Sequence, residues 1–248
     1  EGAARAARYA ALAEAARAMP GPAAVLCGHT ADDQAETVLL GLGRGSGPRS
    51  IAGMPALGTC PGAPDIRLLR PFLGLRRAEL RAALASEGLE WVEDPTNGAD
   101  SAVRASDGSL LRRAAIRHRC IPALEEALGP GVVEALARTA ALLREDLSAL
   151  DELAEKTDSK LGVEPSLQEL GALPAALRTR VLRRRAIDGG ARPGELTSWH
   201  IATLDSLVTR RRGGSSLDLP GMKVTIGEGR ITFGGAVPMN REDNRGSS

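Results

Sequence analysis

Aromatic residues are scarce in this 248-residue chain, at 2% of the total: two Trp, one Tyr and two Phe. That scarcity argues against a broad stacking platform of the kind that binds single-stranded nucleic acid through successive base–ring contacts. Cysteine is equally sparse. Cys27, Cys60 and Cys120 are odd in number and widely spaced, so they form neither a zinc set nor a disulfide framework and read as small buried hydrophobes. No apolar run reaches the length of a bilayer crossing and no signal-peptide pattern opens the chain, so a cytoplasmic protein without a membrane partner is expected. Lysine occurs only at Lys156, Lys160 and Lys223, so arginine carries nearly all the positive charge, and the formal net charge of +1 hides an uneven distribution. A hydrophobic content of 43% is ample for a core, and the length suits one large or two modest domains.

What is present centres on residues 28–37, GHTADDQAET, where a strand hands over to a helix. The apolar run Ala23 to Cys27 reads as a buried strand that Gly28 ends. Thr30 caps the following helix, with Asp33 in the capping-box position. Ala35, Val38, Leu39 and Leu42 follow the helical period and are expected to face the core. That places Asp32, Asp33 and Glu36 on the flank and outer side of the first turn. Like charges at this spacing cost about 0.2–0.5 kcal/mol per pair unless a cation or the helix dipole offsets them. In the plain reading they complement the dipole. Three carboxylates plus His29 and Gln34, beside the carboxyl end of a parallel strand, point instead to a ligand site that takes a cation.

These residues also carry a resemblance. The segment GHTADDQAETVLLGLGRGSG resembles a signature of the tRNA(Ile)-lysidine synthase family, members of the N-type ATP pyrophosphatase (PP-loop) group. Other pieces match in the family's order: Glu1 to Arg5 with Arg8-Tyr9, Arg44 to Gly47, Arg70 to Leu73, and Trp91 to Asn97. The cytidine thiolases of the same group carry a paired-cysteine site that this chain lacks. The family's Ser-Gly-Gly-x-Asp-Ser phosphate loop has no counterpart here, so the sequence reads as N-terminally truncated and is expected to be inactive by itself.

The resemblance implies ATP-dependent transfer of lysine to the wobble cytidine of a minor isoleucine tRNA through an adenylated intermediate. It implies ATP and Mg2+ as cofactors and tRNA(Ile) and free L-lysine as partners, and leaves a homodimer open. Asp33 and Glu36 would cage the lysine ammonium and Arg8 would steady the activated intermediate, these three forming the catalytic set. His29, Asp32, Arg44, Arg113 and Arg117 would bind substrate, with Asp32 a candidate oxygen ligand for magnesium carried on ATP. Two readings from other classes stay open: a degenerate PP-loop protein that binds tRNA without chemistry, and a helical adaptor in which the carboxylates are incidental. A different PP-loop tRNA-modifying enzyme is a further alternative.

The expected fold class is α/β: a partial parallel-sheet PP-loop domain over residues 1–98, then a linker over 99–110. A mainly helical tRNA-binding domain ending in a hairpin follows over 111–238, with a disordered tail over 239–248. In the first part, helices are expected over Glu1 to Met19, Ala31 to Leu42 and Leu75 to Gly88. Strands are expected around Val25, over Ile66 to Leu69 and at Trp91-Val92, with outer strands of the sheet upstream of the chain. In the second part, Val132, Leu136, Ala140, Leu143, Leu147, Leu150 and Leu153 step through one long helix. Leu177, Val181 and Leu182 mark another, Ile201, Leu204 and Val208 a third after a Thr197 cap, and Val224 to Phe233 a hairpin. Two basic clusters, Arg178 to Arg185 and Arg210 to Arg212, are candidate tRNA contacts, with Arg178, Arg184 and Arg211 singled out. Their plain reading is a solvated face. If RNA binds there, phosphate contacts should dominate and affinity should fall with salt.

Overall fold

The computed structural model describes residues 2–45, 47–94, 98, 103–105, 108–210 and 213–234. The chain divides into two compact units, Glu1–Glu145 and Asp146–Ser248. This division falls later than the break expected over 99–110, because the helices after residue 111 pack with the first unit. Most of that linker, and the expected tail, lie outside the described residues.

The first unit is α/β. Helix α1 (Gly2–Ala18) precedes strand β1 (Ala24–Leu26), which leads into α2 (Ala31–Arg44) and the short α3 (Pro48–Ile51). Strands β2 (Leu57–Cys60) and β3 (Ala63–Leu69) then form an antiparallel pair. The chain crosses from β1 to β3 through α2 and α3, so β1 and β3 run parallel, with Val25 opposite Leu68, and the sheet order is β1-β3-β2. Tyr9, Ala13 and Ala16 of α1 pack with Val25, Cys60, Ala63, Ile66 and Leu68 to close one core. Helix α4 (Arg77–Ser86) follows. Then α5 (Arg112–Ala115), a π-helical stretch (Ile116–Cys120) and α6 (Ile121–Leu128) run without a break into one another. Ile121 of α6 and Val133 of α7 (Val132–Asp158) pack against Ala31 and Ala35 of α2.

The structure departs from several expectations. Leu42 does not face the core: it is 53% exposed, and the buried face of α2 shifts to Ala31, Gln34, Ala35 and Val38. Trp91-Val92 forms no strand: among the described residues no strand pairs with it. Strand β2 carries no sequence signal: Leu-Gly-Thr-Cys has neither alternation nor an apolar run, and its pairing with β3 supplies the order. The loop after α3 is fixed by Gln34, whose amide donates to the Met54 carbonyl at 2.9 Å and accepts from the Met54 N–H at 2.7 Å. Between them Gly53 sits at φ +63°, where a β-carbon would lie 2.6 Å from Gln34 Oε1.

The second unit is mainly helical with an antiparallel sheet. Helices α8 (Leu167–Ala172), α9 (Ala175–Asp188) and α10 (Ser198–Thr209) precede β4 (Ser215–Leu219), β5 (Met222–Gly227) and β6 (Arg230–Phe233). Val181, Leu182, Leu204, Val208, Met222, Ile226 and Ile231 form its core. The Thr197 cap is present, its hydroxyl accepting from the His200 N–H. The expected hairpin is β5–β6, turned by Glu228 at φ 50° and Gly229 at φ 73°, two left-handed residues in the manner of a type I′ turn. Strand β4 extends it to a three-stranded sheet. On α7 the apolar stripe ends on Ala154, which is 3% exposed, whereas Leu153 is 50% exposed.

Candidate functional site

A cleft of ≈ 790 Å³ lies in the first unit beside the carboxyl end of β1, where ligands bind open α/β sheets. Its residues come from four places: Arg5 and Arg8 on α1, residues 28–30 with Asp33 and Glu36 at the start of α2, α4 with the segment after it, and Arg113 with Arg117. The start of α2 forms as its sequence demands. The Thr30 N–H donates to Asp33 Oδ2 at 2.8 Å, and the Asp33 N–H donates to Thr30 Oγ1 at 3.4 Å, completing the capping box.

Glu36 departs from the expected arrangement. It is fully buried rather than on the outer side of the helix. Arg117 Nε donates to its Oε1 at 2.8 Å, Arg113 Nη1 lies 3.5 Å from its Oε2, and Arg77 Nη2 is 3.7 Å from Oε1. Arg77 also holds Asp33, its Nη2 donating to Oδ1 at 3.0 Å, and Arg117 Nη2 stands 3.9 Å from the same oxygen. A carboxylate can be carried this deep only when paired and hydrogen-bonded. The cation that offsets the acidic turn is therefore supplied by the chain's own guanidinium groups. Arg117 lies in the π-helical stretch, a local widening that recurs at functional sites.

Asp32 turns away from the cleft. Its Oδ2 accepts the Arg77 backbone N–H at 2.7 Å, and its Oδ1 lies 3.3 Å from Arg76 Nη2. Arg76 in turn reaches Glu134 at 2.7 Å. Desolvation raises the Asp32 carboxyl pKa, but the Arg77 N–H and the Arg76 guanidinium outweigh it, leaving the group below its ordinary value. Among the described residues no group of three or more His, Cys, Asp or Glu side chains converges as a metal site. Asp32 is engaged by Arg76 and Arg77 and stands outside the cleft lining.

Charge in the cleft is lopsided. Arg5, Arg8, Arg77, Arg81, Arg113 and Arg117 line it against Asp33, Glu36, Glu93 and Asp94, a surplus of two positive charges. Half-buried His29 stands among them, and burial lowers its pKa first. Asp33 opposes that shift, while Arg70, Arg5 and Arg113 reinforce it. Its Nδ1 is buried without a hydrogen bond in the protein. A neutral imidazole with a free ring nitrogen is suited to meet a ligand atom.

Comparison with known proteins agrees with this architecture. The family model described as a PP-loop domain matches residues 1–124, and that described as the TilS substrate binding domain matches residues 166–232. The tRNA(Ile)-lysidine synthase of Nocardia farcinica is 44% identical over 241 residues, covering 94% of this chain and 69% of that protein. The chain belongs to the tRNA(Ile)-lysidine synthase family. Relatives of that name from Thermobifida fusca and Streptomyces coelicolor are each 48% identical, over 90% and 92% of this chain. The chain spans 64% and 62% of their lengths.

Within this family frame, the residues singled out from the sequence separate into two groups. Arg8, His29, Asp33, Glu36, Arg113 and Arg117 meet in the cleft. Arg44 does not: it ends α2, roughly 16 Å along the helix from Asp33 at 1.5 Å per residue. Arg178 is not a surface cation. It is 8% exposed, with Nε donating to Asp205 Oδ1 at 2.6 Å and Nη1 donating to the Leu173 carbonyl at 2.7 Å. Arg184 is half exposed and pairs with Glu155 at 2.9 Å, and Arg211 lies outside the described residues. Sequence reasoning missed Arg77. Its signal was two adjacent arginines at a helix N-terminus, where the dipole disfavours cations, so a carboxylate partner from elsewhere was required.

Proposed function

We propose that the protein carrying this chain makes lysidine. ATP adenylates the C2 oxygen of the wobble cytidine in tRNA(Ile) with release of pyrophosphate. The amine of free L-lysine then attacks that carbon, and AMP leaves. The observation that best supports the reading is the cleft itself, in which two carboxylates of the family signature stand inside a surplus of arginines. The arginines suit the phosphate of an adenylated base, and the carboxylates suit an ammonium group.

The pairing also supports an order of events. With no anion bound, Asp33 and Glu36 are engaged by Arg77, Arg113 and Arg117, which outnumber them, and a lysine ammonium would enter a positively charged site. A phosphate that draws Arg113 and Arg117 toward itself frees the carboxylates for the amine. His29 holds the ligand through its free ring nitrogen, and Arg8, exposed at the edge of the cleft, meets the nucleotide. Magnesium would arrive on ATP, its chemistry being charge neutralisation on the phosphates. Asp32, the sequence candidate for its oxygen ligand, is held by Arg76 and Arg77. For tRNA, the second unit offers Arg184 and the 210–212 cluster as proposed phosphate contacts.

The test uses the complete gene product that contains these residues. Single-turnover kinetics would follow AMP release and lysine incorporation separately in wild type and Asp33→Asn. The substitution should raise the lysine requirement and slow lysine transfer, a loss of about 1.5–3 kcal/mol for a charged hydrogen bond, while adenylation survives. Loss of adenylation with unchanged lysine dependence would move Asp33 to the nucleotide. Binding of tRNA(Ile) by the wild type without any ATP-dependent lysine transfer would return the protein to a tRNA binder without chemistry.

A further inference from the structure

We infer that Trp91 is a stacking residue for a nucleobase brought into the cleft, an assignment that rests on the nucleotide chemistry proposed above. Trp91 is one of two tryptophans in the chain and is 41% exposed, although a large aromatic surface is costly to leave in water. It is also held in place. Its indole N–H donates to Glu93 Oε1 at 2.9 Å, the Arg81 guanidinium carbon stands 5.5 Å from its ring centroid, and the same guanidinium pairs with Glu93. These three residues brace one another in the segment that follows α4. An aromatic ring fixed at its polar edge and half open to a cleft is built to receive a flat partner.

The rest of the cleft says what that partner carries. The lining includes Leu80 and Leu84 beside Trp91 in the same cleft, and Arg8, Arg113 and Arg117 contribute cations to it. A ligand with a planar ring and a phosphate matches both kinds of side chain, whereas free lysine has no ring for Trp91 and no anion for the arginines. The volume of ≈ 790 Å³ is ample for one nucleotide. Of the Trp, Tyr and Phe side chains among the described residues, Trp91 is the one in the cleft lining, so the cleft offers one stacking ring. The base can come from a tRNA nucleotide or from the adenine of ATP.

The experiment compares wild type, Trp91→Leu and Trp91→Phe in the complete gene product, titrating a tRNA(Ile) transcript and ATP in separate arms. Binding is read by equilibrium filtration and by tryptophan fluorescence. Trp91→Leu should weaken one of the two ligands about 10-fold and leave the other within about twofold, and Trp91→Phe should keep most of the affinity. The arm that responds identifies the source of the base. The wild type should show a ligand-induced quench that Trp91→Phe lacks. Thermal unfolding of Trp91→Phe checks that the fold is intact. Unchanged affinity for both ligands in Trp91→Leu, in a protein that still forms lysidine, overturns this inference and leaves the proposed function standing. A wild type that binds neither ligand overturns both.

Discussion

Arg113 and Arg117 in the cleft and Arg180, Arg184 and Arg185 on α9 come from equally basic stretches of sequence, yet their surroundings differ. Three of the five α9 arginines meet carboxylates along the second half of α7: Arg180 with Asp151 at 3.0 Å, Arg184 with Glu155 at 2.9 Å, and Arg185 with Asp158, which also lies 3.8 Å from Arg184. Charges match there, and the ladder holds two helices of one unit together. In the cleft, three arginines share Glu36 and two of them share Asp33, so positive charge is left over. Matched arginines make structure, and surplus arginines make a site for an anion. A run of arginines in sequence does not distinguish the two cases, because the deciding carboxylates lie far away in the chain.

The largest expected effect comes from removing the shared carboxylate. Glu36→Ala strips three arginines of their common partner and should destabilise the first unit by about 3–5 kcal/mol, the usual result of breaking a buried ion pair. Urea unfolding of the complete gene product measures it. A loss below about 1 kcal/mol would mean that the arginines find other partners and that Glu36 is not their organiser.

Next is the buried member of the α9 set. Arg178→Gln leaves Asp205 without its charged partner and should cost about 1.5–3 kcal/mol of stability. The salt dependence of tRNA binding should not move, since the side chain is buried. A flatter salt slope in this variant, with stability intact, would restore Arg178 as an RNA contact and blur the comparison.

Smaller effects should separate surplus from matched arginines directly. If Arg8 or Arg113 meets a phosphate of bound RNA, its replacement by Gln should lower the slope of log affinity against log salt by about 0.9 per contact. Arg184→Gln should lower it less, because Glu155 already neutralises that side chain. Equal changes in all three variants would show that pairing within the protein does not decide which arginines reach the RNA.

These contrasts also mark what the sequence could reveal. The capping box at Thr30, the Thr197 cap, the long α7 and the closing hairpin were all legible, because each depends on neighbours within a few residues, whereas β1 was legible as a strand but not as one that exposes Ala24 and Leu26. The cleft was legible in part: Asp33, Glu36 and His29 all line it at the strand-to-helix junction. The burial of Glu36 was not. Helical periodicity sends a carboxylate outward by default, and the partner that reverses this, Arg117, lies 81 residues further on. The same distance problem hid the role of Arg178, whose partner Asp205 lies 27 residues away. Strand β2 was invisible for another reason: its four residues have no pattern of their own and take order from β3.

The smallest prediction tests the surplus charge through His29. Burial lowers its pKa, Asp33 raises it, and Arg70, Arg5 and Arg113 lower it further, so in the folded protein it lies below the ordinary value of about 6.5. The sign of the effect follows from proton counting. Above about pH 6.5 the imidazole is neutral in both folded and unfolded chains, and its contribution to stability is fully present. As pH falls from there toward the folded pKa, the unfolded chain binds the proton first, and stability is lost. His29→Asn should therefore flatten the fall in stability below pH 6.5, in a window above the range where Asp32 and Glu134, both held below the ordinary carboxyl value, take up protons. Urea midpoints for wild type and variant at pH 7.5, 6.5 and 5.5, on the order of one unit apart, would measure the difference. Parallel profiles would mean that His29 titrates normally. The arginine surplus around it would then be screened by solvent, and the electrical contrast between the cleft and α9 would be weaker than their ion pairs indicate.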